Sequence, residues 1–177
     1  MEPTQDKLLA SAAQLFADHG YAGVSMRHIA RSTGITQAAI YHHFSNKQDL
    51  YLASVDYLYG EKLRELVTNL GDKATPEAQL ELVVYRLMSL LDEQPALHSI
   101  YFRELLDGDN ERLNQLSQRV FPEIDAAMDK LMESLAPEMD THLLVLSLIG
   151  LVFHHLQTRK LAPHLPRATP ANQDVKV

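Results

Sequence analysis

Apolar positions along this chain recur at spacings of three and four almost from end to end, the repeat of an α-helix that buries one face. Leu8, Leu9, Ala12, Ala13, Leu15 and Phe16 predict a first helix that ends at Gly20, a residue that takes the left-handed conformation at little cost. Ser25 is placed to cap a second helix bearing Met26, Ile29 and Ala30, which Gly34 breaks. Thr36 is placed to cap a third, through Ala38, Ala39 and Ile40. Ser45 and Gln48 fit a Ser-x-x-Gln capping box at the start of a fourth, whose apolar positions run from Leu50 to Leu70 before Gly71. Its length makes this helix, over residues 47–70, the expected connector between a small head (residues 1–46) and a larger body (residues 47–160).

The body continues the same repeat. Thr75-Pro76 opens a fifth helix running to about Asp92, with proline at its first position. Pro95 opens a sixth, from Ala96 to Leu106, which stops at Asp107-Gly108. A piece from Asn110 to Val120 follows and is restarted or kinked at Pro122. Glu123 to Leu135 is amphipathic again, and Thr141 to Leu156 is the most apolar helix of all. Pro163, Pro166 and Pro170 among polar neighbours predict a flexible tail over residues 161–177. No strand pattern and no internal repeat stands out, so the expected fold class is all-α.

Composition narrows the function classes. At 177 residues, 46% hydrophobic and 22% charged, the chain reads as folded and globular. It has no cysteine, hence no disulfide frame and no thiolate metal site. The longest apolar run, Leu143 to Leu156, falls short of the roughly 20 residues that cross a bilayer and is interrupted by His154-His155, so no membrane partner is expected. Met1 to Lys7 is mostly polar and acidic, unlike a secretory leader, which leaves a cytoplasmic address as the default. The net charge of −7 is unevenly spread. From His19 to Gln48 there is no Asp or Glu, while Arg27, Arg31 and Lys47 fall in that stretch. The acidic excess follows Leu50, so a polyanion would be drawn to the head and repelled by the body.

The head carries the most informative segment, Ser25 to Phe44. Two short helices joined by a tight turn make a helix-turn-helix, which needs a small residue at the crossing and an unhindered backbone in the turn. Ala30 and Gly34 supply these, and Ile29, Ile35 and Ile40 supply the apolar face that locks the pair onto the first helix. Thr36, Gln37, Ala38, Tyr41 and His42 are then left on the outside of the third helix, groups suited to base edges and phosphates.

Leu15-Phe16, Gly20-Tyr21, Ser25-Met26-Arg27, Ile29-Ala30, Gly34-Ile35, Ile40-Tyr41, His43-Phe44, Lys47 and Leu50 together resemble the N-terminal signature of the tetracycline-repressor family. The resemblance covers about the first fifty residues in order and without gaps; the rest is similar only in being helical. It implies a sequence-specific DNA-binding transcriptional regulator, not an enzyme, working on double-stranded DNA as a homodimer. By the same resemblance, Ser25 and Arg27 contact phosphates, and Thr36, Gln37 and Ala38 face the major groove. Tyr41, His43 and Lys47 then hold flanking phosphates, and His42 meets either a base edge or solvent. Specificity falls mainly on Gln37, whose amide can pair bidentately with adenine. Adjacent histidines on a helix diverge by about 100°, so no metal is expected at His42-His43.

For the body, the resemblance implies release from a pseudo-palindromic operator by an unknown small-molecule effector, with no cofactor. Tyr85, Met88, His98, Tyr101, Phe102, Arg103, Phe121, Met128 and His154 combine bulk with a polar or polarisable tip and are the candidate ligand-binding residues, with plain core packing as the alternative. A buried Arg103 would need an anion, from the effector or from Glu104 and Asp107. By the same resemblance the dimer surface comes from Glu123 to Leu135 and Thr141 to Leu156, where Leu144, Leu148, Leu151 and Val152, with Gly150 allowing close approach, make an apolar seam, with an intradomain core as the alternative. Proteins of this family commonly add one more helix to the dimer bundle. Here a Pro-rich polar stretch runs to Val177, so the bundle is shorter or its last helix lies outside this sequence. Control by a protein partner docking on the acidic body, or activation in place of repression, remains the alternative.

Overall fold

A computed structural model describes residues 3–72, 75–159 and 161–165, and among these every regular element is a helix. Helix α1 is Pro3–Gly23, α2 Met26–Thr33, α3 Gln37–His43 and α4 Lys47–Val55. A π turn, Asp56–Gly60, leads into α5, Glu61–Glu65, and a 3-10 turn follows at Leu70–Asp72. The body then has α6 Pro76–Glu93, α7 Pro95–Asp107, α8 Asn110–Val120, α9 Pro122–Leu135 and α10 Thr141–Thr158. These bounds agree with the apolar repeat to within a few residues.

Three local expectations change. The first helix does not stop at Gly20: the coil resumes to Gly23 after a break where Gly20 takes φ 72° and ψ 166°, a region open essentially to glycine alone. The fourth helix is capped one residue later than expected. The Asn46 side chain accepts from Asp49 N–H at 2.8 Å, Ser45 N–H donates to the Asp49 carboxylate at 3.1 Å, and Gln48 reaches across to Gln115 instead. The 47–70 connector is not one α-helix. It widens into the π turn, and α5 ends by Glu65, short of Gly71.

The main apolar cluster crosses the boundary expected at residue 46. It runs from Leu8, Phe16, Ile29 and Ile40 in the head through Leu50, Tyr51 and Tyr59 to Leu91, Ile100, Val120 and Phe153 in the body. A second cluster, Leu70, Val83, Met128, Leu131, Met132 and Val145, joins α6, α9 and α10. The head is therefore seated on the body by continuous packing, with α1 lying against both α4 and α7. The flexible tail expected over 161–177 lies for the most part outside the described residues; Ala162–His164 form a short 3-10 turn.

Helix α10 is strongly apolar yet only 17% buried, with His142, Ser147, His154 and His155 among its exposed residues, and it is the one helix among the described residues long and apolar enough, at a mean hydropathy of 1.3, to cross a membrane by composition. Its exposed face differs from the expected seam. Leu144, Leu148 and Val152 turn inward to the two clusters, whereas Leu143, Leu146, Gly150 and Leu151 face out.

Candidate nucleic-acid interface

The helix-turn-helix is fixed by local chemistry. Ser25 Oγ accepts the His28 N–H at 3.1 Å and Thr36 Oγ1 accepts the Ala39 N–H at 3.1 Å, so both expected caps form. Between the helices Gly34 sits at φ 74° and ψ 19°, a left-handed position that leaves its N–H and that of Ile35 donating to the same Ala30 carbonyl, at 3.0 and 3.2 Å. Ile29 and Ile40 are wholly buried, Phe44 is buried, and Ile35 is packed against the same cluster. Only one face of α3 is used for this.

The remaining surface of α3 is open. Thr36, Gln37, Ala38, Tyr41, His42 and His43 are all exposed, Tyr41 at 52%. Ser25 and Arg27 are exposed at the start of α2, and Arg27 and Arg31 form no ion pair among the described residues. Lys47 is half-buried at the N-terminus of α4. Eight of the nine expected DNA-binding residues are thus solvent-facing, and the ninth is drawn toward the body. The His42 and His43 rings lie 5.2 Å apart, and no group of three or more metal-ligating side chains occurs among the described residues.

The junction between head and body centres on Arg112, a charge that the sequence pattern did not single out. Arg112 is buried and donates to Glu104 at 2.7 Å, Asp109 at 3.1 Å and Asp107 at 3.4 Å. Tyr51 donates its hydroxyl to the other oxygen of Glu104 at 2.8 Å. Burial works against the Arg112 charge, yet its hydrogen bond and ion pair with Glu104 outweigh this and hold its pKa above the usual value. Burial, then the charge of Glu104, pushes the Tyr51 phenol far above its ordinary range. Arg103 has a different role from the one expected. It lies beside Gly20 and donates to the carbonyls of Ala17 at 3.2 Å and Asp18 at 2.9 Å, satisfying acceptors near the break in α1. Glu104 and Asp107 belong to Arg112.

Tyr21, just past that break, is the meeting point. Lys47 Nζ lies 4.1 Å and the Arg112 guanidinium carbon 4.3 Å from the centre of its ring. Burial raises the Tyr21 pKa, and burial followed by the nearby Arg112 charge lowers that of Lys47. Beside them an open cleft of about 590 Å³ is lined by Tyr21, Ser45, Lys47, Gln48, Glu111 and Gln115.

The expected ligand residues separate. His98, Tyr101 and Phe102 do come together, joined by Phe153, on which Tyr101 stacks at 4.0 Å and His98 at 5.6 Å. Met88 packs on the same main cluster, but Met128 lies in the second one. Tyr85, Phe121 and His154 are exposed and Arg103 faces the head, so none of these four lines an enclosed site.

Residues 8–54, which run from within α1 to within the last turn of α4, match the family model described as bacterial regulatory proteins, tetR family. The head of the chain is similar to the DNA-binding domain of the tetR family. The chain is a DNA-binding regulator, and the outward face of α3 is open to solvent. Over the head it is similar to the transcriptional repressor AcnR of Corynebacterium glutamicum, 40% identical over 50 residues, 28% of this chain and 27% of that protein. Over more of its length it is similar to the nucleoid occlusion factor SlmA of Aliivibrio fischeri, 24% identical over 84% of this chain and 79% of that one. Its fold is similar to that of the regulator FadR of Bacillus subtilis, solved with stearoyl-CoA. The TM-score is 0.74 at 20% identity, covering 89% of this chain and 88% of that one.

Proposed function

We propose that this regulator is a homodimeric repressor that covers a pseudo-palindromic operator and releases it when a small molecule enters the body. What carries the reading is the coexistence of two uncovered surfaces of different kind, the polar face of α3 and the apolar face of α10. A single α3 spans too few base pairs to select an operator, and a two-fold pair of heads doubles the site. The Leu143, Leu146, Gly150 and Leu151 face supplies a self-complementary surface for that pairing. Residues 1–46 act as the reading head and 47–160 as the sensing and pairing body.

Within the head, Gln37 reads base edges with Thr36 and Ala38 beside it, while Ser25, Arg27, Tyr41, His43 and Lys47 hold phosphates. The effector enters among His98, Tyr101, Phe102 and Phe153. The Nε2 of His98 is buried there without a hydrogen-bond partner, an arrangement that a polar ligand group would relieve. The likeness of fold to the stearoyl-CoA complex of FadR makes acyl-CoA thioesters the first class to screen. Binding there would favour a body conformation that misaligns the heads. Control by a protein partner has less support, because Asp107 and Asp109 of the acidic run are engaged by Arg112.

Selection of genomic fragments bound by the full chain, followed by titration of acyl-CoAs against the selected duplex, tests this. Enrichment of one palindromic site, with loss of binding on adding one thioester, is expected. A chain that binds its site as a monomer, or a selected site without two-fold symmetry, overturns it.

A further inference from the structure

We propose that Tyr21 is a positioning residue for DNA binding, its ring holding the Lys47 ammonium in place while Arg112 of the body anchors that same ring. The proposal rests on the reading of Lys47 as a phosphate contact and adds how that cation is held. Lysine side chains are long and lose much rotamer freedom when fixed, so an ammonium that is already placed binds a phosphate with a smaller entropic loss. Lys47 Nζ has no carboxylate within salt-bridge distance among the described residues, and its neighbour is the Tyr21 ring at 4.1 Å.

The ring is itself immobilised. It stacks with Phe16 at 6.0 Å and meets Tyr51 edge-on at 5.3 Å. Arg112, held by Glu104, Asp107 and Asp109, lies 4.3 Å from its centre. Two cations on one ring repel each other, and the Arg112 charge is tolerable there because three carboxylates surround it. A purely apolar role for Tyr21 would explain its contacts with Phe16 and Tyr51 but not why both cations gather at its face. Unlike the exposed Arg27 and Arg31, Lys47 is half-buried against a ring that the body holds.

The experiment measures binding of the full chain to a duplex of arbitrary sequence, about three helical turns long, over a series of salt concentrations. Lys47→Ala should lower the salt slope by about 0.9 for each head engaged. Tyr21→Leu, which keeps apolar bulk but removes the ring face, should shift the slope toward that of Lys47→Ala and weaken binding about two- to fivefold per head. Tyr21→Phe should bind as the native chain does, and Tyr21→Leu combined with Lys47→Ala should bind like Lys47→Ala alone. A native slope for Tyr21→Leu, with a lowered one for Lys47→Ala, overturns the positioning role and leaves the phosphate contact standing. An unchanged slope for Lys47→Ala overturns both. Should Tyr21→Leu not fold, the native protein still decides: ring-current upfield shifts of the Lys47 ε-methylene protons are expected, and random-coil shifts there overturn the proposal.

Discussion

Arg112 and Glu104 form an ion pair at 2.7 Å with both side chains almost out of water, 4% and 5% exposed. Such a pair is held together by the cost of separating it more than by its own net stability. Arg112→Met should therefore destabilise the chain by about 3–5 kcal/mol, since Glu104 is left as an uncompensated buried charge. Arg112→Met with Glu104→Leu should lose less than Arg112→Met alone. Urea denaturation of the three proteins checks the order, and a double variant weaker than the single one refutes it.

Tyr51 ties an alkaline limit to the same carboxylate. Its phenol is raised above the ordinary 10.0 by burial and then by Glu104. In the unfolded chain it ionises near the ordinary value, so the unfolded state loses its proton first and stability falls as pH rises above about 10. Tyr51→Phe should cost about 1–3 kcal/mol near neutral pH, from the hydrogen bond that Glu104 loses. It should also flatten the alkaline fall without abolishing it, because burial raises Tyr21, Tyr59 and Tyr101 as well. Denaturation midpoints followed into alkali measure both effects.

Gly20→Ala should be destabilising by about 1–3 kcal/mol, because φ 72° with ψ 166° is closed to a residue with a Cβ. The added carbon would also meet Arg103 Nη1 at 3.3 Å. Thermal melting of this variant beside Gly71→Ala, where the added carbon would meet nothing within 4 Å, isolates the effect.

On α3 the two proposed kinds of contact separate by their response to sequence. Gln37→Ala should change which operator is preferred, by about 1–3 kcal/mol at the affected base pair. Tyr41→Ala should instead weaken all duplexes alike. Selection of bound fragments with each variant distinguishes them, and identical selected sites for Gln37→Ala and the native chain would remove Gln37 from the readout.

Leu146→Glu or Leu151→Glu places a carboxylate in the middle of the uncovered α10 face, at positions 52% and 70% exposed, where folding is little affected. Sedimentation should then show a monomer with native helix content and weak operator binding. An unchanged dimer would put the pairing surface elsewhere.

The head was legible from its residues because its determinants are local: Ser25 and Thr36 cap the helices that follow them, and Gly34 makes the turn. The junction was not. Arg103 and Arg112 look alike along the chain, and only the packing of α7 on α1 sends the first to the Ala17 carbonyl and leaves Glu104 to the second. Of the candidate seam, Gly150 and Leu151 lie on the exposed side of α10 while Leu144, Leu148 and Val152 pack inward, a division that only the packing of neighbouring helices decides. The aromatic group at Phe153 escaped notice for the same reason.

A π turn holds one residue more than the α turn it replaces. Between Asp56 and Gly60 the absence of a side chain at Gly60 leaves room for Asp56, whose Oδ1 a Cβ there would push aside. Deleting one residue from the turn would spin everything downstream by about 100° relative to the head, carrying Leu63 and Leu66 off the core. One extra residue in this turn thus helps to set the rotation of the helices after Gly60 relative to α1–α4, which gives evolution a discrete way to re-index one against the other.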